Sequence, residues 1–251
     1  MNKTWAGTWA GGIEHAVELP LISDATVEVS TWSGIQTAIN NADDYTETLI
    51  RLVGDVKATS TDVNLTINAN RYIILDLNGY TLTRDCDQKT RDANSVSSIR
   101  NENDKYCITI SDKSTELNIT DSSGKDAGTL TGLIRINAGT LNIKSGSFNT
   151  DIVSFSDDAV FNMSGGVLKP IEKTTNGEPA VDLNRGGTFN RIGGELYSGS
   201  AYAVFKGTNK GKLNVTGDAV VDQRAFFTYG KATATAGYFD ENNKYIFHLF
   251  K

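Results

Sequence analysis

The stretch Thr140–Asn149, TLNIKSGSFN, is the clearest copy of a motif that recurs along the chain. Leu141 and Ile143 alternate with polar residues, so in an extended chain the apolar side chains lie on one face and the polar ones on the other. The alternation predicts a half-buried β-strand. Gly146 then gives the backbone the freedom to bend, and Phe148 returns an apolar side chain to the interior.

The motif returns at intervals typical of a solenoid. Copies begin at Leu141, Phe161, Phe189 and Leu213, so successive copies are 20, 28 and 24 residues apart. In a solenoid each unit stacks on its neighbour because it cannot bury its own apolar face alone. Further copies begin at Leu75, at Leu117 and, more loosely, at Ala232.

The unequal spacing separates the possible all-β folds. A left-handed helix of hexapeptides needs a strict multiple of six residues per coil, which these intervals do not follow. A β-sandwich also has short strands and frequent turns, but it would not place the same Asn and Gly at the same offset in each copy. We therefore predict an all-β fold: a right-handed, single-stranded parallel β-helix.

Composition and charge exclude some function classes. The 251 residues include 24 Lys and Arg against 30 Asp and Glu, a net charge of −6, and the repeats contain no basic run. We expect no nucleic-acid partner, because such binding depends on clustered positive charge. No apolar stretch approaches the ~20 residues of a spanning helix, so we expect no membrane insertion. The N-terminus lacks the apolar core of a signal peptide, which fits an intracellular protein or one whose signal has been removed.

The chain divides into a lead-in at 1–30 and a β-helix domain at 31–251. Ser33 and Gln36 have the spacing of a capping box, and apolar residues follow at helical intervals, which predicts a short capping helix over 33–42. Such a helix would cover the apolar end of the first coil. We also expect a polar loop insertion at 84–106 and a C-terminal cap at 240–251.

Two cysteines flank the polar insertion. If the insertion leaves one coil and returns on the next, its ends stack ~4.8 Å apart, within the range that a disulfide spans. Cys86 and Cys107 are then either a bridged pair, which indicates an oxidising compartment, or two unrelated thiols.

Four features together resemble the parallel β-helix surface proteins of the pectate-lyase-like superfamily, especially repetitive extracellular proteins of gut bacteria. They are the segments 34–42 (GIQTAINNA), 75–82 (LDLNGYTL) and 236–240 (AGYFD), and the repeated Leu-Asn-Ile pattern. The resemblance implies coil geometry and an extracellular or cell-surface location. It implies no particular activity, because the superfamily includes lyases, hydrolases and adhesins.

The enzymes of that superfamily carry motifs that this chain lacks. Polygalacturonase-like members use a Gly-His-Gly and an Arg-x-Lys, whereas His15 and His248 are not flanked by glycines on both sides and no Arg-x-Lys occurs. No acidic cluster resembles the calcium site of the lyases. The pair Asp157–Asp158 could supply two carboxylates for glycoside hydrolysis, or could serve turn chemistry alone. We assign no catalytic, cofactor-binding or metal residue.

One column of asparagines and one arginine stand out in the repeats. Asn118, Asn142, Asn162, Asn190 and Asn214 share one position of the motif, and stacking would align them on a lateral face. There they would form an amide ladder or a flat polar face for glycan contact. Arg191 occupies a position that is apolar in the other copies. Either a bulge turns it outward so that Ile192 fills the core, which we favour, or it pairs with Asp182 or Glu195, because burial of an unpaired guanidinium is costly.

These features predict a non-catalytic, secreted or cell-surface module with a structural or adhesive role. Its partner would be a glycan or a protein of a host or bacterial surface, bound by the lateral face or by the 84–106 loop, and no cofactor is expected. The alternative is a carbohydrate-active enzyme, a polysaccharide lyase or glycosidase, with an unrecognised site.

Overall fold

The computed structural model describes ten segments of the chain: residues 21–84, 106–124, 126–154, 156–170, 180–183, 185–197, 204–206, 210–216, 220–221 and 226–228. Within these segments lie 22 β-strands and one α-helix. Residues 1–20 of the expected lead-in, nearly all of the 84–106 insertion and the expected cap at 240–251 lie outside the described residues.

The strands form three sheets, in which all strand pairs are parallel. Sheet A consists, in spatial order, of β1 (Leu21–Val29), β2 (Thr46–Leu52), β5 (Tyr72–Asp76), β8 (Glu116–Thr120), β11 (Gly139–Ile143), β14 (Ala159–Met163), β17 (Thr188–Arg191) and β20 (Lys212–Val215). Sheet B consists of β3 (Val56–Lys57), β6 (Thr81–Thr83), β9 (Thr129–Thr131), β12 (Ser147–Asn149), β15 (Val167–Lys169), β18 (Glu195–Leu196) and β21 (Val220–Val221). Sheet C consists of β4 (Leu65–Ile67), β7 (Tyr106–Ile110), β10 (Leu133–Ile136), β13 (Ile152–Ser154), β16 (Val181–Asp182), β19 (Val204–Lys206) and β22 (Phe226–Thr228).

From β2 onward the chain visits sheets A, B and C in turn, and each visit stacks on the previous one. The described strands therefore make seven coils of three strands each. The expectation of an all-β parallel solenoid is confirmed. A coil has three strands because the short segment after each glycine bend forms a strand of its own in sheet B.

The core is built from columns of inward-facing side chains, one from each coil. Leu141 and Ile143 are fully buried in β11, as the alternation in the sequence predicts. Phe161 and Phe189 lie in the same column as Leu141, and their rings stack with centroids 4.5 Å apart. Stacked apolar columns of this kind supply the main driving force for folding of a solenoid.

Glycines make the corner between sheets A and B. Gly166 and Gly194 have positive φ values of 74° and 78°, in the left-handed region that other residues avoid. A Cβ atom on Gly166 would lie 2.8 Å from the carbonyl oxygen of Gly146 in the preceding coil. The coils therefore stack closely at this corner only because the side chain is absent.

The helix α1 (Trp32–Asn41) lies between β1 and β2. Its N-cap is Thr31, whose side chain accepts a hydrogen bond from the Gly34 N–H at 3.1 Å. The capping box expected at Ser33 and Gln36 is therefore wrong: the helix begins one residue earlier, and Thr31 takes the capping position. Within the described part of the chain, no helix is long and apolar enough to cross a membrane.

Gln36 contacts the edge of a sheet instead of the start of its own helix. Its side-chain oxygen accepts from the backbone N–H of Thr66 at 2.8 Å, and its amide nitrogen donates to the Thr66 carbonyl at 3.1 Å. Thr66 lies in β4, which is the terminal strand of sheet C in the part of the chain that the structure describes. The amide of Gln36 thus satisfies the two backbone groups that a further strand would otherwise pair.

Residues 21–29, expected to belong to the lead-in, form β1. This strand pairs in parallel with β2 and, among the described strands, is the terminal strand of sheet A. Within the described residues, sheet A therefore extends from Leu21 to Val215.

Candidate functional site

The outer face of sheet A carries a continuous row of five amide side chains, which we call the amide strip. The strip consists of Asn118, Asn142, Asn162, Asn190 and Asn214 on β8, β11, β14, β17 and β20. Each asparagine is the direct register partner of the next. Because the pairing is in register and parallel, neighbouring amides are spaced as the strands are, ~4.8 Å apart.

The amides are joined by hydrogen bonds that all run in one direction. In every pair the Nδ2 group of the later coil donates to the Oδ1 atom of the earlier coil. The N···O distances are 3.1 Å from Asn142 to Asn118, 2.7 Å from Asn162 to Asn142, 2.7 Å from Asn190 to Asn162 and 2.7 Å from Asn214 to Asn190. Hydrogen bonds in such a chain polarise and strengthen one another.

A carboxylate lies at the N-terminal end of the strip. The register partner of Asn118 in the preceding coil is Ile74, which has no amide oxygen to accept its N–H. Glu116 accepts instead: its Oε1 atom receives hydrogen bonds from Nδ2 of Asn118 at 3.0 Å and from Nδ2 of Asn142 at 2.7 Å. An ionised carboxylate only accepts, so Glu116 fixes which way the first two amides face and hence the direction of the whole ladder.

The ladder leaves part of the Asn162 and Asn190 amides available. An asparagine side chain has two N–H donors and an oxygen with two lone pairs. With respect to the described residues, Asn162 and Asn190 each use one N–H and one lone pair in the ladder. The other N–H and the other lone pair remain for a ligand or for water.

A groove of about 740 Å³ runs along the amide strip. Besides Glu116 and the asparagines, it is lined by Lys144, Ser164, Ile192 and Thr216, which lie two residues beyond the asparagines on the same face. The side chain of Ile192 is 50% exposed. The lining thus combines hydrogen-bonding amides and hydroxyls with one accessible apolar side chain, and it carries few charges.

Arg191 does not turn outward. It is fully buried, and its register partners are Met163 and Val215, without a shift. The favoured bulge is therefore wrong: Ile192 faces solvent and Arg191 fills the core column. The glycine corner that follows explains the difference, because it brings the Gly194 carbonyl within 2.7 Å of the Nη2 atom of Arg191. An ion pair of Arg191 with Asp182 or Glu195 stays a prediction.

The other residues singled out from the sequence lie away from the groove. Asp157 and Asp158 are exposed in the turn before β14, where the Asp158 carbonyl accepts from the Gly139 N–H at 3.0 Å. Cys107 is buried in β7. Cys86, and with it the proposed bridge, lies outside the described residues, as do His15 and His248.

Two buried carboxylates that the sequence did not single out organise the corner after β5 and β8. Asp76 accepts hydrogen bonds from Arg51 Nε at 2.8 Å and from the Asn78 and Ser122 N–H groups. Asp121 accepts from the Gly79 and Gly128 N–H groups and from Ser123. Burial alone would raise the pKa of each carboxyl, but these donors outweigh it, so both pKa values are lowered.

The aspartates support the fold of this corner. Their hydrogen bonds go to backbone and side-chain groups of neighbouring turns, and neither residue lines the groove.

Among the described residues, no group of three or more His, Cys, Asp and Glu side chains is arranged to hold a metal ion. Comparison with protein-family models, with curated protein sequences and with solved structures finds no match for this chain.

Proposed function

We propose that the protein is a non-catalytic, secreted or cell-surface module that binds an extended glycan along the amide strip. We further propose that the solenoid is right-handed, with the single-stranded architecture of the pectate-lyase-like superfamily. The role is structural or adhesive: the module holds a surface carbohydrate without cleaving it.

The observation that carries the proposal is the hydrogen-bonded order of the amide strip. Five amides are held at strand spacing by side-chain hydrogen bonds of 2.7 to 3.1 Å. A ligand therefore meets donors and acceptors whose orientation is already fixed, which lowers the entropic cost of binding. Hydroxyl groups repeated along a glycan are both donors and acceptors, so they complement a row of amides that offers both.

We also propose that α1 caps the first coil. Gln36 satisfies the backbone of Thr66 at the terminal strand of sheet C, and Trp32, Ile35 and Ile39 of the helix are buried. Covering the apolar end and the open edge protects a solenoid from edge-to-edge association.

A glycan array combined with a depolymerisation assay tests the function. We expect the protein to bind one or more glycans of the array and to leave their chain length unchanged. Asn162→Leu keeps the branching of the side chain at Cγ but removes the amide, and we expect it to abolish binding. Asn149→Leu is the matched control, because Asn149 is an exposed asparagine on the outer face of sheet B.

Two results would contradict the proposal. Equal binding by the two variants would place the ligand elsewhere on the molecule. Cleavage of a polysaccharide, lost on substitution of an acid on one lateral face, would show instead a lyase or glycosidase.

A further inference from the structure

Two tyrosines extend the outer face of sheet A beyond the N-terminal end of the amide strip. Tyr72 is the first residue of β5 and the register partner of Glu116 on β8, so it lies one strand away from the carboxylate that ends the ladder. Tyr45 directly precedes β2, and its ring lies edge-on to that of Tyr72, with centroids 6.1 Å apart. Tyr45 is 54% exposed. The two rings form an aromatic platform next to Glu116, which lines the end of the groove.

The backbone of Tyr45 is in an unfavourable conformation. Its φ is +55°, in the left-handed region where a bulky residue is rare and strained. Flanking contacts hold it there: the Tyr45 N–H donates to the Asn70 carbonyl at 2.8 Å, and Asp44 forms an ion pair with Arg71. Glycine or asparagine would adopt this conformation at lower cost.

A strained, exposed tyrosine is informative because packing alone does not account for it. The neighbouring contacts fix the backbone turn, and a smaller residue would serve that turn better. Strain of this kind is found where a side chain has a function beyond stability. We therefore assign a function to the exposed ring of Tyr45, which is held beside Tyr72 next to the Glu116 end of the amide strip.

The charges around the platform indicate what it can bind. Glu47 and Glu116 are the register partners of Tyr72 on its two sides, whereas Asp44, which adjoins Tyr45, is paired with Arg71. The two glutamate carboxylates disfavour an anionic ligand but accept hydrogen bonds from hydroxyl groups. The apolar C–H face of a sugar ring packs against an aromatic ring, and its edge carries the hydroxyls.

We propose that Tyr45 and Tyr72 form a stacking subsite for a neutral sugar ring, at one end of a glycan that continues past Glu116 onto the amide strip. This inference rests on the proposed glycan binding and deepens it: it adds a subsite and specifies the ligand as uncharged. The platform holds one ring, and the amides hydrogen-bond to the rings that follow.

Calorimetric titration with three neutral hexasaccharides, of glucose, xylose and mannose, tests the subsite. We expect Tyr45→Asn to weaken the binding of the preferred hexasaccharide roughly 3- to 10-fold, the effect of losing one aromatic contact. Its melting temperature should stay within about 2 °C, because relief of the strained backbone offsets the lost contact with Tyr72.

Two control variants isolate the ring. Tyr45→Phe keeps the ring, and its dissociation constant should lie within about twofold of that of the unmodified protein. This difference in binding free energy is smaller than the contribution of one hydrogen bond. Tyr197→Asn removes a tyrosine of similar exposure, 43%, after β18 of sheet B, and should not change binding.

The outcomes separate the subsite from the proposed function. If Asn162→Leu abolishes binding while Tyr45→Asn leaves it unchanged, the subsite is refuted and glycan binding on the amide strip stands. A fall in melting temperature of Tyr45→Asn well beyond about 2 °C would show that the tyrosine serves stability, which refutes the subsite. Tighter binding of an acidic hexasaccharide would refute the neutral ligand. Failure of the unmodified protein to bind any of the three neutral hexasaccharides would refute the subsite, whereas failure to bind any glycan of the array would overturn the proposed function as well.

Discussion

Asn142 donates a 2.7 Å hydrogen bond to Glu116, which lies diagonally across the boundary between β11 and β8. The same Nδ2 group also donates to Asn118 at 3.1 Å, and the Oδ1 atom accepts from Asn162. Asn142 therefore takes part in three side-chain hydrogen bonds, although it lies on the outer face of the sheet.

The first prediction follows from these bonds. Asn142→Thr should lower the free energy of unfolding by about 1–2 kcal/mol, because a hydroxyl cannot replace both donors and the acceptor. Thr140→Ser, at the outward position two residues earlier on β11, is the control and should change it by less than about 0.5 kcal/mol. Chemical denaturation of the two variants measures both values, and equal effects would mean that the ladder adds nothing to stability.

The second prediction concerns Arg191 and Ile192. Arg191→Ala should lower the free energy of unfolding by about 2–5 kcal/mol, because it leaves a cavity in a fully buried column and removes the hydrogen bond to Gly194. Ile192→Thr should stay within about 0.5 kcal/mol, because Ile192 is half exposed. Thermal unfolding of both variants shows which substitution destabilises the protein more. A larger effect of Ile192→Thr would indicate that Arg191 faces outward.

The third prediction concerns the contact of α1 with β4. Gln36→Ala should cost about 1–3 kcal/mol of stability, because it leaves the N–H and carbonyl of Thr66 without the amide that pairs them. Ser33→Ala, in the exposed first turn of the same helix, is the control and should cost less than about 0.5 kcal/mol. Light scattering of the Gln36 variant should also show more self-association, since an open strand edge is a template for pairing. An unchanged, monodisperse variant would argue against capping by α1.

The fourth prediction concerns acid. Asp76 and Asp121 have pKa values lowered from 3.8, so the folded state binds protons less readily than the unfolded state. Their stabilisation is therefore complete above the unfolded pKa and is lost as the pH falls through the lower, folded pKa. We expect the free energy of unfolding to fall below about pH 4.

Substitution separates this effect from general acid denaturation. Asp121→Asn should be less stable than the unmodified protein at pH 7, and the difference between the two should shrink as the pH falls. Asp157→Asn, in an exposed turn, should follow the unmodified protein. Denaturation at several pH values measures the slopes, and parallel slopes for all three proteins would contradict the role of Asp121.

The strands could be predicted from the alternation of apolar and polar residues, and the alignment of the five asparagines from their shared position in the repeated motif. The inward orientation of Arg191 could not be predicted. A general penalty on buried charge favoured the outward orientation, whereas in the structure the buried guanidinium donates to the carbonyl of Gly194, whose position depends on the corner. At Arg191 the local geometry of the corner outweighs the average free-energy cost of burying a guanidinium group.

Glu116 and Tyr45 escaped prediction for a different reason. Glu116 acts on a residue of the next coil that is not its register partner, and its role depends on Ile74 in the preceding coil. Tyr45 stands outside the repeat, and its strained φ becomes visible only with the backbone. Both are departures from the repeat, where a pattern read from the repeat carries no information.

The unbroken register of sheet A from β2 to β20 sets the unit by which this molecule can change in evolution. The successive intervals between Asn142, Asn162, Asn190 and Asn214 are 20, 28 and 24 residues. All four asparagines nevertheless align, because segments outside sheet A absorb the differences in length. Duplication of one whole coil would add one amide, one core layer and ~4.8 Å of length. Insertion of one residue inside a strand would reverse its faces, so growth by complete coils is the step that conserves both the core and the groove.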